Sequence, residues 1–253
     1  MATIQIRSED GAAHVTLARP EVRNAFNAEV IRELRDVFLA FSNDDTVRAV
    51  ILSGEGKTFC GGADINWMRG ALDLSYDENV ADAEVMSDMF RAIDRCSKPV
   101  IGRIHGAALG GGAGLTAVCD IAIAAPETIF GFTEVKLGII PAVISPFVLA
   151  KIGVSHARAL FLTGERFDAQ RALSIGLIHE VVALDALDAA VERVVNELRT
   201  AGPNAVAAAK ALIARVSAAT YDETRAITAA AIAKQRVSDE GQAGLRAFLE
   251  RTK

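Results

Sequence analysis

Histidine and large aromatic side chains are scarce in this chain, and it has no long run of like charge. Its 253 residues include four His, one Trp and two Tyr. Lys and Arg number 27 and Asp and Glu number 32, which gives a formal net charge of -5. A binder of polyanions needs a basic patch or stripe, and none is present. Nucleic acid is therefore not expected as a partner.

Long hydrophobic runs and a secretory leader are also missing from the pattern. The longest uncharged runs, such as residues 137–150, are shorter than the roughly 18 residues of a membrane-spanning helix. The first ten residues lack a basic segment followed by an apolar one. The three cysteines are widely separated, without CxxC spacing, which is typical of reduced thiols. We therefore predict no membrane contact and a cytoplasmic location.

Several catalytic motifs are absent as well. The chain has no Gly-x-Ser-x-Gly elbow and no phosphate-binding Gly-x-x-x-x-Gly-Lys-Ser/Thr loop. Its histidines are too scattered for a zinc-protease helix. These absences remove the main support for a serine hydrolase, a P-loop enzyme or a metalloenzyme. No metal site is predicted.

Hydrophobic periodicity predicts an α/β protein with one core and a helical C-terminal third. Alternating residues around an Asp-Gly turn predict a hairpin over 3–7 and 13–17, and a 3.6-residue pattern predicts a helix over 27–41. Apolar runs predict buried strands, and an acidic segment at 70–77 predicts a loop before a helix that ends near 95. The predicted strands cover 47–52, 99–104 and 121–125, and the predicted C-terminal helices cover 185–200, 203–216 and 221–251.

Two glycine-rich turns, at 60–65 and 107–115, each follow a predicted strand and precede a helix. Glycines let a ligand approach the backbone, and the free amides of a helix N-terminus carry partial positive charge. Two such turns can supply the two donors of an oxyanion hole. They can also be tight turns needed only for packing. A third reading is dinucleotide binding by the Gly-x-Gly-x-x-Ala pattern at 112–117, whose glycines begin several residues beyond the strand end.

Three segments of the chain carry a recognisable pattern. They are Phe-Cys-Gly-Gly-Ala-Asp-Ile at 59–65, Gly-Ala-Ala-Leu-Gly-Gly-Gly at 106–112 and Phe-Gly-Phe-Thr-Glu-Val-Lys-Leu-Gly-Ile-Ile-Pro at 130–141. These segments resemble the signature segments of the crotonase (enoyl-CoA hydratase/isomerase) superfamily. The likeness continues through residues 19–27 and 239–251, so it covers nearly the whole chain in the family's order. It implies a crotonase-like ββα spiral core over 1–195 and a helical trimerisation region over 196–253.

The resemblance also implies roles for individual residues. The backbone amides of Ala63 and Gly111 are expected to bind the thioester oxygen of an acyl-CoA, and Glu134 is expected to act as an acid/base. Coenzyme A is then part of the substrate, and no separate cofactor is expected. The expected oligomer is a homotrimer or hexamer, in which Arg251 and Lys253 are candidates to approach the phosphates of a neighbour's substrate. Substrate-binding roles are implied for Arg23, Ala25, Ala63, Asp64, Ile65, Gly110 and Pro141.

One departure from the family pattern leaves the reaction open. Hydratases of this family usually carry a second glutamate where this chain has Gly114, and the missing side chain is expected to leave volume beside the reacting carbons. A hydratase then needs a second group, for which the acidic segment at 73–78 is a candidate. The alternatives are a Δ3,Δ2-enoyl-CoA isomerase that uses only Glu134, and a non-catalytic acyl-CoA-binding protein. Residues 66–68 and 141–148 resemble a branch associated with branched, glutaconyl-type acyl groups.

Overall fold

The computed structural model of the chain describes residues 3–251 and begins with an antiparallel hairpin. Its strands are β1 (Ile4–Glu9) and β2 (Ala12–Leu17), joined by Asp10 and Gly11. Both turn residues have positive φ, at 47° and 79°. Such backbone angles are those of the tight turns that Asp-Gly pairs favour. The predicted hairpin is confirmed.

The hairpin forms one edge of a six-stranded sheet in the order β1-β2-β3-β4-β6-β9. Every neighbouring pair beyond the hairpin is parallel. The three predicted buried strands are therefore confirmed, with ends displaced by one to two residues. The added strands are β3 (Ala49–Gly54), β4 (Val100–Ile104), β6 (Ile121–Ala124) and β9 (Glu180–Val181).

A second sheet of three short strands, in the order β5-β7-β8, adjoins the first. Each strand has only three residues, too few for the alternation that would predict it. The strands are β5 (Ala107–Leu109), β7 (Ile129–Gly131) and β8 (Arg166–Asp168).

The helices cover the two faces of the main sheet and form the C-terminal third. Two segments of the chain differ from the sequence-based expectations. The expected loop at 70–77 is mostly helical, because Ser75 and Glu78 form a capping box that begins a helix at Tyr76. The expected helix over 221–251 breaks at Ser238. The helices are α1 (Ala28–Ser42), α2 (Ile65–Gly70), α3 (Tyr76–Asp94), α4 (Gly111–Val118), α5 (Ser145–Thr163), α6 (Ala169–Ser174), α7 (Leu187–Thr200), α8 (Pro203–Ser217), α9 (Tyr221–Val237) and α10 (Asp239–Arg251).

The alternation of side chains along the main sheet divides the core into two layers. Val50 and Leu52 of β3 face one layer, with α1, α3 and α4. Ile51 between them faces the other layer, which α7 covers. Within residues 3–251, no helix has both the length and the apolar composition needed to cross a bilayer.

Helix α7 belongs to the core. The expected boundary between the spiral core and the helical C-terminal region lies within this helix. Its Leu187, Val191 and Val195 pack against the main sheet, and the helix continues to Thr200. The expected division at 195/196 would therefore cut a continuous helix. The helical C-terminal region begins after Ala201, and whether it forms a trimer stays a prediction.

An ion pair attaches this C-terminal region to the core. Lys210 of α8 donates from Nζ to Asp120 Oδ2 at 2.6 Å and to the carbonyl oxygen of Lys98 at 3.1 Å. The same Asp120 oxygen accepts from the amide of Val100 at 2.7 Å. Both side chains are largely shielded from solvent, at 16% and 32% exposure. The ion pair thus attaches α8 to the first residue of β4.

The substitution Lys210→Met tests this attachment. Removal of charged hydrogen bonds costs about 1.5–3 kcal/mol, so we expect the midpoint of thermal unfolding to fall by roughly 3–10 °C. Differential scanning calorimetry at matched protein concentration measures the change. The control is Lys234→Met on the exposed face of α9. Equal midpoints for the two variants would contradict the attachment.

Candidate active site

The first glycine-rich turn leaves one backbone amide without an acceptor. Gly62 has φ of 103°, a left-handed angle that favours glycine. On either side of Ala63, the carbonyl oxygen of Gly62 accepts from the amide of Phe26 and the amide of Asp64 donates to Phe26, both at 2.8 Å. Backbone groups alternate in an extended chain, so the N–H of Ala63 points away from Phe26. It has no acceptor in the described part of the chain.

Asp64 and Arg19 hold this turn in place. Asp64 caps α2, because its Oδ1 accepts from the amide of Asn66 at 2.8 Å. Its Oδ2 pairs with Arg19 at 2.8 Å, and Arg19 also donates to the carbonyl oxygen of Ala25 at 2.7 Å. Burial raises the pKa of Asp64, but these hydrogen bonds and the Arg19 charge outweigh burial and lower it. The carboxylate of Asp64 is therefore engaged by groups of the chain itself, and these contacts position Ala63.

The second glycine-rich turn repeats this arrangement. Gly110 has φ of 51°, and its amide donates to the carbonyl oxygen of Gly131 at 2.8 Å. The next residue, Gly111, begins α4, where the first amides of a helix lack intrahelical partners. Its N–H also donates to no acceptor within residues 3–251. The two turns touch, since a Cβ on Gly62 would lie 3.0 Å from the carbonyl oxygen of Leu109.

Both free-amide residues line one cavity of about 300 Å³. Its wall is mainly apolar, and only two of the lining residues, Asp82 and Glu134, are ionisable. A larger cleft of about 650 Å³ lies between the β1–β2 hairpin and α7 and includes neither free-amide residue. The smaller cavity is therefore the candidate site. Its lining residues are Phe26, Ala63, Trp67, Met68, Ala71, Asn79, Asp82, Ala83, Met86, Gly111, Glu134, Ile139, Ile140, Pro141, Ala142, Val143 and Ile144.

Glu134 projects into this cavity from the 3-10 turn Glu134–Leu137 that follows β7. One carboxyl oxygen, Oε2, is buried and has no hydrogen-bond partner among the described residues. The other lies 3.3 Å from the position that a Cβ on Gly110 would take. Burial raises the pKa of Glu134 because it penalises the charged form. A neutral acid beside two free amides can donate a proton to a substrate whose oxygen those amides hold.

The expectation that Gly114 leaves empty volume is wrong. Gly114 is buried in α4 and does not line the cavity. A Cβ there would lie 2.3 Å from Cγ2 of Ile144 and 3.1 Å from Cε1 of Phe90. Those two apolar side chains occupy the space where a second glutamate was considered.

The acidic segment at 73–78 does not supply that second carboxylate to the cavity. Its side chains are exposed and lie outside the lining, and Glu78 is engaged in the cap of α3. The carboxylate that does line the cavity is Asp82, one turn further along α3. Sequence reasoning missed it, although its spacing from Asn79 and Met86 places the three residues on one helical face.

The dinucleotide reading of 112–117 does not fit the structure. These residues are buried inside α4, and a Cβ on Gly112 would lie 2.3 Å from the carbonyl oxygen of Cys60. The glycines therefore serve close packing of the helix against the first turn. Among the residues that the structure describes, no group of three His, Cys, Asp or Glu side chains could hold a metal ion.

Comparison with known proteins identifies the family. The family model described as enoyl-CoA hydratase/isomerase matches residues 7–253. The chain belongs to this family. Enoyl-CoA hydratase ACTT6 of Alternaria alternata is 37% identical over 86% of the chain and 72% of its own length. A trans-2-decenoyl-[acyl-carrier-protein] isomerase of Streptococcus mutans is 29% identical over 96% of the chain and 93% of its own length. The crystal structure of an enoyl-CoA hydratase from Shewanella pealeana matches with a TM-score of 0.95 and 38% identity, covering 98% of this chain and 94% of that chain.

Membership of the enoyl-CoA hydratase/isomerase family confirms the predicted α/β crotonase fold. The remaining candidate residues lie around the two turns. Pro141 lines the cavity, whereas Arg23 and Ile65 are exposed outside it and Ala25 is buried beneath the first turn. Arg251 is exposed at the end of α10, and Lys253 lies outside the described residues. The substrate contacts that the family resemblance implies for these residues stay predictions.

Replacing Ala63 with proline tests the first free amide. Proline has no N–H, and loss of one oxyanion donor typically reduces kcat by about 10²–10³-fold. The measurement is steady-state turnover of an enoyl-CoA. Ala63→Gly keeps the amide and should stay within a few-fold of the unmodified enzyme. If the proline variant turned over as fast as the glycine variant, the donor would lie elsewhere.

The buried acid predicts a pH-dependent effect on stability. Because its folded-state pKa is raised, Glu134 binds a proton more tightly in the folded chain, so stability falls as pH rises from the ordinary carboxyl range through the raised pKa. Glutamine does not titrate. The unfolding temperature of Glu134→Gln relative to wild type should therefore rise with pH over that window. The control is Glu84→Gln on the exposed side of α3, and a difference that stayed constant with pH would contradict a buried neutral acid.

Proposed function

We propose that this enzyme adds water reversibly to the double bond of a 2-enoyl-CoA. The observation that carries the proposal is the placement of two acceptor-free amides, at Ala63 and Gly111, in one small cavity with the buried acid Glu134. Addition at Cβ of an enoyl thioester sends electron density to the thioester oxygen. Two preorganised N–H donors in a cavity with little water stabilise that charge. Glu134 then supplies the proton that Cα needs.

The acyl group that fits this cavity is uncharged. Apart from two carboxyl groups its lining is neutral, and it includes no Lys or Arg. A glutaconyl-type substrate would place its distal carboxylate close to Asp82 and Glu134 without a cation to offset the repulsion. We therefore favour a short apolar 2-enoyl group over the glutaconyl-type group that residues 66–68 and 141–148 suggest.

A second candidate function is migration of the double bond between the Δ3 and Δ2 positions. One observation favours it: Ile144 and Phe90 fill the place where a second glutamate would stand, beside Gly114. A single acid/base can move one proton from Cα to Cγ through the same enolate. The relative from Streptococcus mutans is named as an isomerase, whereas the one from Alternaria alternata is named as a hydratase.

Self-association is part of the proposal. The C-terminal helices expose large apolar side chains, including Ile213 at 69%, Tyr221 at 91% and Val237 at 77%. Burial of such surfaces drives association of helical regions. We propose a homotrimer built on α8–α10, with pairing of two trimers into a hexamer as the larger form. Coenzyme A is part of the substrate in this proposal, with no additional cofactor.

Two substrates separate the candidate functions. With crotonyl-CoA a hydratase forms 3-hydroxybutanoyl-CoA, and with but-3-enoyl-CoA an isomerase forms crotonyl-CoA. We expect hydration, and expect Glu134→Gln to lower it by about 10²–10⁴-fold. Chromatographic separation of the products measures both reactions. Bond migration without hydration would favour the isomerase, and turnover of neither substrate would favour the acyl-CoA-binding alternative.

A further inference from the structure

A second carboxylate reaches the cavity from α3. Asn79, Asp82, Ala83 and Met86 follow the spacing of one helical face, and all four line the cavity that contains Glu134. One turn further, Phe90 of the same helix packs against Phe26 and lies beside Gly114. The face that carries Asp82 therefore continues into the core and is held by it.

The surroundings of Asp82 act on its charge in opposite directions, and their net effect raises its pKa. The side chain is half-buried, and this burial raises the pKa of its carboxyl group. A hydrogen bond from the side chain of Trp67 opposes the rise by favouring the charged form. Among residues 3–251, Glu134 is the only other ionisable residue that lines the cavity. Asp82 forms no ion pair and caps no helix in the described part of the chain, so the fold makes no other evident use of it.

Hydration needs two proton transfers that Glu134 cannot make at once. A proton must leave the water that attacks Cβ, and a proton must arrive at Cα. Burial raises the pKa of Glu134, which favours the protonated form that the second transfer needs. The position that would supply the first transfer, Gly114, is blocked by Ile144 and Phe90.

We propose that Asp82 is the catalytic residue that binds the attacking water and accepts its proton. This inference rests on the proposed hydratase function. It assigns the two carboxyl groups of the cavity complementary roles, with one ionised and one neutral. Such pairs are the usual means by which one site performs both acid and base catalysis.

The reaction balances with these two groups. Asp82 takes one proton as the water oxygen bonds to Cβ, and the π electrons of the double bond move to form the thioester enolate. The enolate oxygen is held by the amides of Ala63 and Gly111. Glu134 then gives its proton to Cα and the carbonyl re-forms. Transfer of one proton from Asp82 to Glu134 through water restores the starting state.

The test separates water addition from enolate formation. Hydration of crotonyl-CoA requires both carboxyl groups, whereas exchange of the Cα hydrogens of butanoyl-CoA in deuterium oxide requires only the amides and Glu134 in its ionised form, so exchange is measured above the raised pKa of Glu134. Asp82→Asn should lower kcat for hydration by about 10²–10⁴-fold and leave the exchange within a few-fold of wild type. Glu134→Gln should lose both reactions. Glu84→Gln, on the exposed side of α3, is the matched control and should change neither.

Each contrary result has a distinct meaning. Hydration by Asp82→Asn at the control's rate, or an equal loss of hydration and exchange, would overturn the role of Asp82. Absence of hydration by the wild-type enzyme would overturn the proposed function, and the role of Asp82 with it. Trp67→Phe gives a second readout that does not depend on Asp82→Asn folding. Loss of the indole donor should move the acid limb of the hydration pH profile to higher pH, and an unmoved limb would contradict ionised Asp82 as the base.

Discussion

The site depends on a backbone constraint: two glycines with positive φ, in turns that touch, each place the following amide where the described chain offers it no acceptor. Gly62 and Gly110 set these turns, and Ala63 and Gly111 carry the free N–H groups. Buried amides are normally paired, since an unpaired one costs free energy. Ala63 and Gly111 are half-buried residues of the cavity wall, so their amides are unpaired within the described chain but open to a ligand. An oxygen that gains negative charge in the cavity accepts both hydrogen bonds, which is why the arrangement stabilises a transition state more than a ground state.

The same apolar cavity wall affects both the pKa of Glu134 and the strength of the two amide donors. An apolar lining strengthens the field of the two amides and raises the pKa of Glu134, so that both halves of the site depend on exclusion of water. Glu134 contributes its own cost, since its buried Oε2 lacks a partner. The surrounding core, which includes the buried Phe130 and Phe132 on the preceding strand and turn, holds Glu134 in this position.

The sequence predicted the parts of the site that local backbone rules determine. The glycine-rich turns and the strands that lead into them follow from patterns within ten residues. The identity of the second carboxylate did not, because it depends on how α3 packs across the sheet. Gly114 was misread for the same reason: Ile144, thirty residues further on, fills the space above it. The expected division at 195/196 falls within α7, because the amphipathic pattern of that helix does not reveal which surface covers its apolar face.

A second carboxylate on α3 has a more polar environment than one on α4 would have. Position 114 lies inside the core, enclosed by Ile144 and Phe90, where an ionised group would lack both water and a partner. Asp82 stands on a half-buried wall, next to an indole donor. There a carboxylate can stay charged and exchange its proton with solvent between turnovers. Ile144, which covers Gly114, is part of the cavity wall, and a hydratase can dispense with a carboxylate on α4 without losing the second proton transfer.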